Sequence, residues 1–218
     1  MSQDRLLLEL ARFIERVTAV ARTGLAFQSE GFDAERYEDL LKEAARMQAA
    51  ALDASLEEAE SIRRGWRDAV ISGYEGYVTP AVGCGIIAFN DCDDLLMIQR
   101  TSGKWWYPTG FCDVGIAPAE NVVKEAFEET GLIVEPLRLM AIMDSRKSGD
   151  GWRHIYSMLF YSRIIGGTPR PHPLETLDVG FFPLEMLPYP LHGRDRRWIQ
   201  IAREFHFEGR IETYFDPA

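Results

Sequence analysis

The sequence predicts two units: a small all-helical segment, then a mixed α/β domain whose sheet is flanked by helices. Three observations lead there. Apolar residues recur at helical spacing through residues 1–72. The segment SGYEGYVTP (72–80) then supplies the glycines and proline of a linker. Beyond it, short runs rich in β-branched and aromatic residues alternate with helical ones. The expected organisation is a helical N-terminal domain over 1–72, a linker over 73–80 and an α/β domain over 81–218.

In the first helix, Leu6, Leu10, Phe13, Ile14, Val17 and Ala21 share helical spacing, and Gly24 is a plausible stop. Asp33 can cap a second helix, with Phe32 and Tyr37 as a hydrophobic staple and Leu40, Leu41, Ala44 and Met47 along its length. Ser55 and Glu58 have the spacing of a capping box for a third helix that ends near Val70. The apolar stripe of the first helix, at 6, 7, 8, 10, 13, 14, 17 and 20, is wider than one neighbouring helix need cover. A second copy of the chain would bury the excess, so the expected assembly is a homodimer through these helices.

In the second domain, AVGCGIIAF (81–89) and LLMIQR (95–100) read as strands joined by the turn-like NDCDD. A helix is expected over about 118–130. Strand-like runs follow at 137–143, 154–165 and 179–182, and a last helix around Arg194–Glu204. No internal repeat or low-complexity segment interrupts the pattern.

Composition excludes several functions. A formal net charge of −10 disfavours duplex nucleic acid as a partner. No apolar run approaches the roughly 18 residues of a membrane span, and the charged, amphipathic start of the chain does not read as a signal peptide. Cys84, Cys92 and Cys112 are odd in number and lack metal-knuckle spacing. They read as free thiols of a cytoplasmic protein. His154, His172, His192 and His206 show no paired ligand spacing and read as non-ligands.

The most informative stretch is KEAFEETGL (124–132). With about 100° of rotation per residue, Glu125, Glu128 and Glu129 share one side of the helix that starts at Pro118 and stops at Gly131. Ala119, Val123, Ala126 and Phe127 are expected to face the sheet. Like charges one turn apart repel, and a hard cation such as Mg²⁺ or Mn²⁺ would reverse that cost. A solvated acidic helix end is the plain alternative. The preceding loop, WYPTGFCDVGIAP (106–118), has glycines that can bend it sharply against the helix start.

The run GFCDVGIAPAENVVKEAFEETGL (110–132) resembles the Nudix box, with Gly110, Glu125, Glu128, Glu129, Gly131 and Leu132 in register. Ile116 stands where the first Glu of that pattern is expected, Lys124 replaces its Arg, and Ala126 replaces a larger aliphatic residue. A Glu120–Lys124–Glu128 row could brace the helix in their place. LLELARFIERVTAVARTGLAFQSEGFDAERYEDLLKEAARM (6–47) is similar to the helical domain fused to some bacterial Nudix enzymes of the CDP-choline and ADP-ribose pyrophosphatase type. LDVGFFPLEMLP (177–188) resembles the closing strand of the Nudix fold.

The resemblance implies a mixed sheet sandwiched between helices. It also implies a Mg²⁺-dependent hydrolase, with Mn²⁺ a possible substitute, that cleaves a nucleoside diphosphate linked to a second group. The implied metal site is Glu125, Glu128 and Glu129 with the Gly110 carbonyl. Glu128, Glu129, Lys124 and Glu175 are the candidate catalytic residues, Glu175 as a base from a later loop. Arg100 and Arg146 are candidates for phosphate, and Trp105 and Tyr107 for the base, although such aromatics commonly fill a core. Phe27 or Tyr37 could reach the nucleotide end of the pocket from the N-terminal helices. Two other readings are a silent Nudix-fold nucleotide sensor and a house-cleaning nucleoside triphosphatase.

Overall fold

A computed structural model describes residues 3–27, 30–71, 79–113, 115–148, 154–193 and 195–217. The chain divides into two compact units, 1–80 and 81–218. Most of the expected linker, through residue 78, lies outside the described residues.

The first unit is three helices: α1 (Gln3–Phe27), α2 (Phe32–Ala51) and α3 (Leu56–Ile71). On α1, Ala11, Ile14, Thr18, Ala21 and Leu25 are buried at alternating three- and four-residue steps. Ala21 and Leu25 meet Ala34 and Leu41 of α2, with Tyr37 and Trp66 packed alongside. Helix α1 does not stop at Gly24. That residue lacks a side chain because the Tyr37 ring lies where a Cβ would be, 2.4 Å from the ring carbons. Tyr37 is therefore committed to this core. Asp33 falls in the first turn of α2, whose N-cap is Gly31, and Phe32 is 83% exposed, so the expected staple does not form. The Ser55–Glu58 capping box is present: Ser55 N–H donates to Glu58 at 2.7 Å and Glu58 N–H to Ser55 Oγ at 3.2 Å. Leu41 and Ala44 point inward, whereas Leu40 and Met47 are exposed.

The second unit holds strands β1 (Ala81–Phe89), β2 (Leu95–Arg100), β3 (Trp105–Trp106) and β4 (Thr109–Phe111), then helix α4 (Pro118–Thr130). Strand β5 (Leu132–Asp144), the short α5 (Ser145–Ser148), β6 (Ile155–Gly167), β7 (Thr176–Phe182), α6 (Arg197–Phe207) and β8 (Tyr214–Phe215) follow. The sheet runs β3-β2-β1-β6-β5-β8, with β4 on β1 and β7 on β2. β1 pairs with β6 in parallel over its whole length, from Ala81↔Ile155 to Phe89↔Arg163, while β5 and β6 are antiparallel. The expected strand at 137–143 starts earlier, at Leu132, and the one at 154–165 runs on to Gly167, because these ends pair with each other in the β5–β6 ladder.

Alternation along β1 separates two cores. Cys84, Ile86 and Ala88 point to the α4 side, with Leu96, Val122, Ala126 and Val134. Ile87 and Phe89 point to the α6 side, with Met97, Met140, Trp198, Ile201 and Phe205. The result is a mixed sheet between helices. Helix α6 starts at Arg197, three residues later than expected, and runs to Phe207.

Helix α4 ends at Gly131, whose φ of 71° is left-handed and whose N–H donates to the Phe127 carbonyl at 2.8 Å. A Cβ there would lie 2.6 Å from the Thr168 backbone oxygen. Gly131→Ala combines a disfavoured φ with a clash against backbone, so we expect a loss of roughly 1–3 kcal/mol in chemical denaturation. An unchanged midpoint would contradict this.

Candidate functional site

The site is built where β4 meets α4. The buried arc of α4 consists of Asn121, Val122, Glu125, Ala126, Glu129 and Thr130. Phe127 is 49% exposed and Ala119 is exposed, which corrects the expected sheet-facing side. Two of the three carboxylates therefore border the packed face: Glu125 is 9% exposed and Glu129 is 2%. Glu128, nearly half exposed, points to solvent.

Each carboxylate has a neighbour that explains its placement. Thr109 N–H donates to Glu129 at 2.6 Å, and Thr176 Oγ holds the Glu129 carbonyl at 3.3 Å. Gly110 stands against Glu125 so closely that a Cβ would lie 2.2 Å from its carboxyl carbon. Only glycine leaves room for that side chain. A Cβ on Gly83 would lie 3.2 Å from the Gly110 carbonyl oxygen, so this carbonyl lies against β1. Lys124 reaches Glu128 at 2.8 Å, Asp113 at 3.2 Å and Glu125 at 3.4 Å. Glu120 is not in that row. Its carboxylate accepts the Ala117 N–H at 2.7 Å and caps the helix. Asp113, from the glycine loop, takes the expected place of Glu120.

Sequence reasoning missed Asn121. It is fully buried, and its Nδ2 donates to the Phe111 carbonyl at 3.0 Å while its Oδ1 accepts the Asp113 N–H at 3.1 Å. It ties the loop to the helix. An Asn one turn before Glu125 on the inward arc was the available signal. Cys84 donates nothing reactive here: burial pushes its thiol up to about 11, and burial likewise raises Cys112. Both are free.

The electrostatics are those of excess negative charge out of water. Burial raises Glu125, against the pull of Lys124. Burial pushes Glu129 up to about 7, against the Thr109 N–H and Arg100, with Glu125 and Glu175 adding repulsion. Glu175, on the loop before β7, thus lies within electrostatic reach of both buried carboxylates. It also sits 4.0 Å from His172. Lys124 is raised, chiefly by its bond to Glu128.

Among the described residues, no three carboxylate, thiol or imidazole groups converge as a closed metal cluster. The expected cage is open in this conformation because Glu128 turns out to Lys124 and Glu129 turns in to Thr109. The donor set nonetheless suits a hard divalent cation: three carboxylates on one side of one helix, two of them desolvated and short of positive charge.

Thr109 and Gly110 also line a cavity of about 400 Å³, together with Arg100, Trp106, Tyr107 and Trp198. Arg100 and Tyr107 are therefore at the site. Trp105 is not among its lining residues. It is 8% exposed and packs edge-on against Phe182 in the α6-side core, its ring 5.0 Å away. Arg146 is also outside the lining and forks onto Asp144, which does line the cavity.

A family model described as "NUDIX domain" matches residues 79–201, and one described as "UDP-X-like, N-terminal oligomerisation domain" matches residues 9–62. The Bacillus subtilis (strain 168) protein "Putative ADP-ribose pyrophosphatase YjhB" is 36% identical over 195 residues, 88% of this chain and 89% of that protein. The crystal structure of an ADP-ribose pyrophosphatase from Streptococcus suis 89-1591 is 36% identical, with a TM-score of 0.56 over 63% of this chain and all of that one. The crystal structure of a UDP-X diphosphatase is 26% identical, with a TM-score of 0.58 over 96% of this chain and 99% of that one. No helix among the described residues is long and apolar enough to cross a membrane.

Raising a carboxyl pKa on folding means the native state holds the proton more tightly than the unfolded chain does. For Glu129 the stability this proton contributes is complete below the ordinary value of 4.5 and is lost as pH rises through about 7. Glu129→Gln keeps an acceptor for Thr109 without the charge. In chelating buffer, the calorimetric melting point of the wild type should fall more steeply than that of the variant between about pH 5 and 8. Parallel curves would contradict the assignment.

Proposed function

This chain belongs to the Nudix family, and we propose that it is a divalent-cation-dependent hydrolase cleaving the diphosphate bond of a nucleoside diphosphate joined to a second group. The observation that supports this most strongly is the placement of Glu125 and Glu129. They are desolvated carboxylates held against Gly110 and Thr109, at the edge of an aromatic-walled cavity. The names of its relatives, an ADP-ribose pyrophosphatase and a UDP-X diphosphatase, agree with the substrate class. Free thiols agree with a reducing, cytoplasmic setting.

Glu125, Glu128 and Glu129 would hold Mg²⁺ or Mn²⁺. The bound cation would neutralise the diphosphate and acidify a water molecule. This chain's residues do the rest. Gly110, without a side chain, lets Glu125 stand against the loop. Lys124 keeps Glu128 and Asp113 in reach of one another across loop and helix. Arg100 lines the cavity and offers a fork to phosphate oxygens. Glu175 is a carboxylate outside α4 whose charge reaches Glu125 and Glu129, and we assign it the proton of the attacking water. Tyr107 and Trp106 form the wall for the base.

The test is incubation with Mg²⁺ or Mn²⁺ and a panel of adenosine, uridine and cytidine diphosphate conjugates, with products identified by mass. We expect a nucleoside monophosphate and the phosphorylated second group. Binding without products would favour the silent sensor, and faster release from nucleoside triphosphates the house-cleaning enzyme. Glu129→Gln should lower turnover by roughly 10²–10³ while the protein stays folded. Wild-type turnover in that variant would remove Glu129 from the chemistry.

The assembly we propose is a homodimer through α1. Leu6, Phe13, Val20 and Phe27 recur every seven residues and are 53%, 57%, 60% and 66% exposed. A seven-residue apolar repeat is the pattern of a helix seam, and a second copy would present the same stripe. The match to an oligomerisation domain agrees with this. Phe13→Glu with Val20→Glu should yield a monomer by light scattering, with helicity retained by circular dichroism. A dimer that persists in the double variant would place the interface elsewhere.

A further inference from the structure

Among the described residues, a buried polar group in the cavity wall is left without a partner. Trp198 is 1% exposed, and its indole Nε1–H has no hydrogen-bond acceptor among the described residues. Its ring is fixed on two sides, edge-on to Trp106 at 5.4 Å and to Tyr107 at 5.1 Å between centroids. All three line the cavity. A buried donor without an acceptor is rare in folded proteins, and a ligand is one way to satisfy it.

The two carboxylates that line the same cavity are already engaged. Asp195 receives the Arg197 backbone N–H at 2.9 Å, Nε at 3.0 Å and Nη2 at 2.6 Å. Asp144 receives the Arg146 backbone N–H at 2.9 Å and its side chain at 3.3 and 3.4 Å. Two guanidinium forks therefore occupy the two carboxylates, while the Trp198 N–H is a donor left over. An exocyclic amine entering this cavity would meet occupied acceptors. A ring carbonyl would meet a free N–H.

We infer that Trp198 is a specificity residue: its indole N–H donates to a ring carbonyl, so the cavity prefers a nucleobase with a keto edge over one with an exocyclic amine. This rests on the reading of the site as a hydrolase of nucleoside diphosphate conjugates. The flat walls of Trp106 and Tyr107 accept any base, so the preference comes from the directional donor of Trp198.

The experiment compares uridine and cytidine diphosphate conjugates of one common second group, which differ at the 4-position and its neighbouring ring nitrogen, in wild type and Trp198→Phe. Adenosine and inosine conjugates make the same comparison for purines. The wild type should favour the keto member of each pair by about tenfold or more in kcat/KM. Trp198→Phe should cut that ratio to within about threefold, through KM rather than kcat. Equal use of both members by the wild type, or an unchanged ratio in the variant, would overturn the inference. Should the variant not fold, a uridine conjugate lacking the 4-oxygen decides on wild type alone: a drop of about tenfold supports the inference and no drop overturns it. If no conjugate is cleaved, the functional reading fails. Calorimetric binding of UMP against CMP, and of IMP against AMP, then decides the base preference independently.

Discussion

Carboxylates held out of water at the inner edge of α4 set the terms for their surroundings. An ionised carboxylate loses most of its hydration when buried and regains it only from donors or cations. Glu129 has one backbone N–H from Thr109 and the distant charge of Arg100, and its proton is held up to about pH 7 as a result. Glu125 has the Lys124 ammonium at 3.4 Å. The loop around them is shaped to tolerate this. Gly110 gives up its side chain to make room, and Asn121 pins the loop to the helix through both ends of its amide. Such an arrangement is costly without a counter-charge, and in the proposed function a bound cation would supply it.

The sheet supplies the rigidity this requires. The parallel β1–β6 ladder runs unbroken for nine residue pairs, and β4 is paired to β1 through Gly83↔Phe111, Cys84↔Gly110 and Gly85↔Thr109. All three β4 residues line the cavity, and Thr109 and Gly110 also meet the carboxylates. The cavity and the buried carboxylates therefore share a short strand, and a shift of β4 would move both. On the far wall, the bridge between Trp105 and Leu191 and the Arg197 fork on Asp195 fix the loop before α6, from which Trp198 reaches the cavity.

Much of this was legible in the sequence, and the failures have physical causes. Helix α4 and its end at Gly131 could be read because local rules, proline at the start and a left-handed glycine at the stop, decide them. The grouping of the three glutamates followed from rotation alone. Their burial did not, because the wheel was oriented by Phe127, the largest apolar residue, and Phe127 faces outward while Val122 and Ala126 pack inward. Glu120 was placed in a row with Lys124, yet the helix start is a nearer donor. Trp105 and Trp106 alternate across a strand, so one had to enter the core, but which one depends on the register with β2. Trp198 could not be found at all. Its unpaired N–H exists only because β3, α6 and the loop before it converge from distant parts of the chain.

The central claim is that buried negative charge on α4 awaits a hard cation. Calorimetric titration of the metal-stripped protein with Mn²⁺, in wild type and in Gly110→Ala, tests it most directly. The wild type should bind saturably. The variant, whose added Cβ must displace the Glu125 carboxylate, should bind at least about tenfold more weakly. Equal affinity in the two proteins, or no saturable binding in the wild type, would contradict the account.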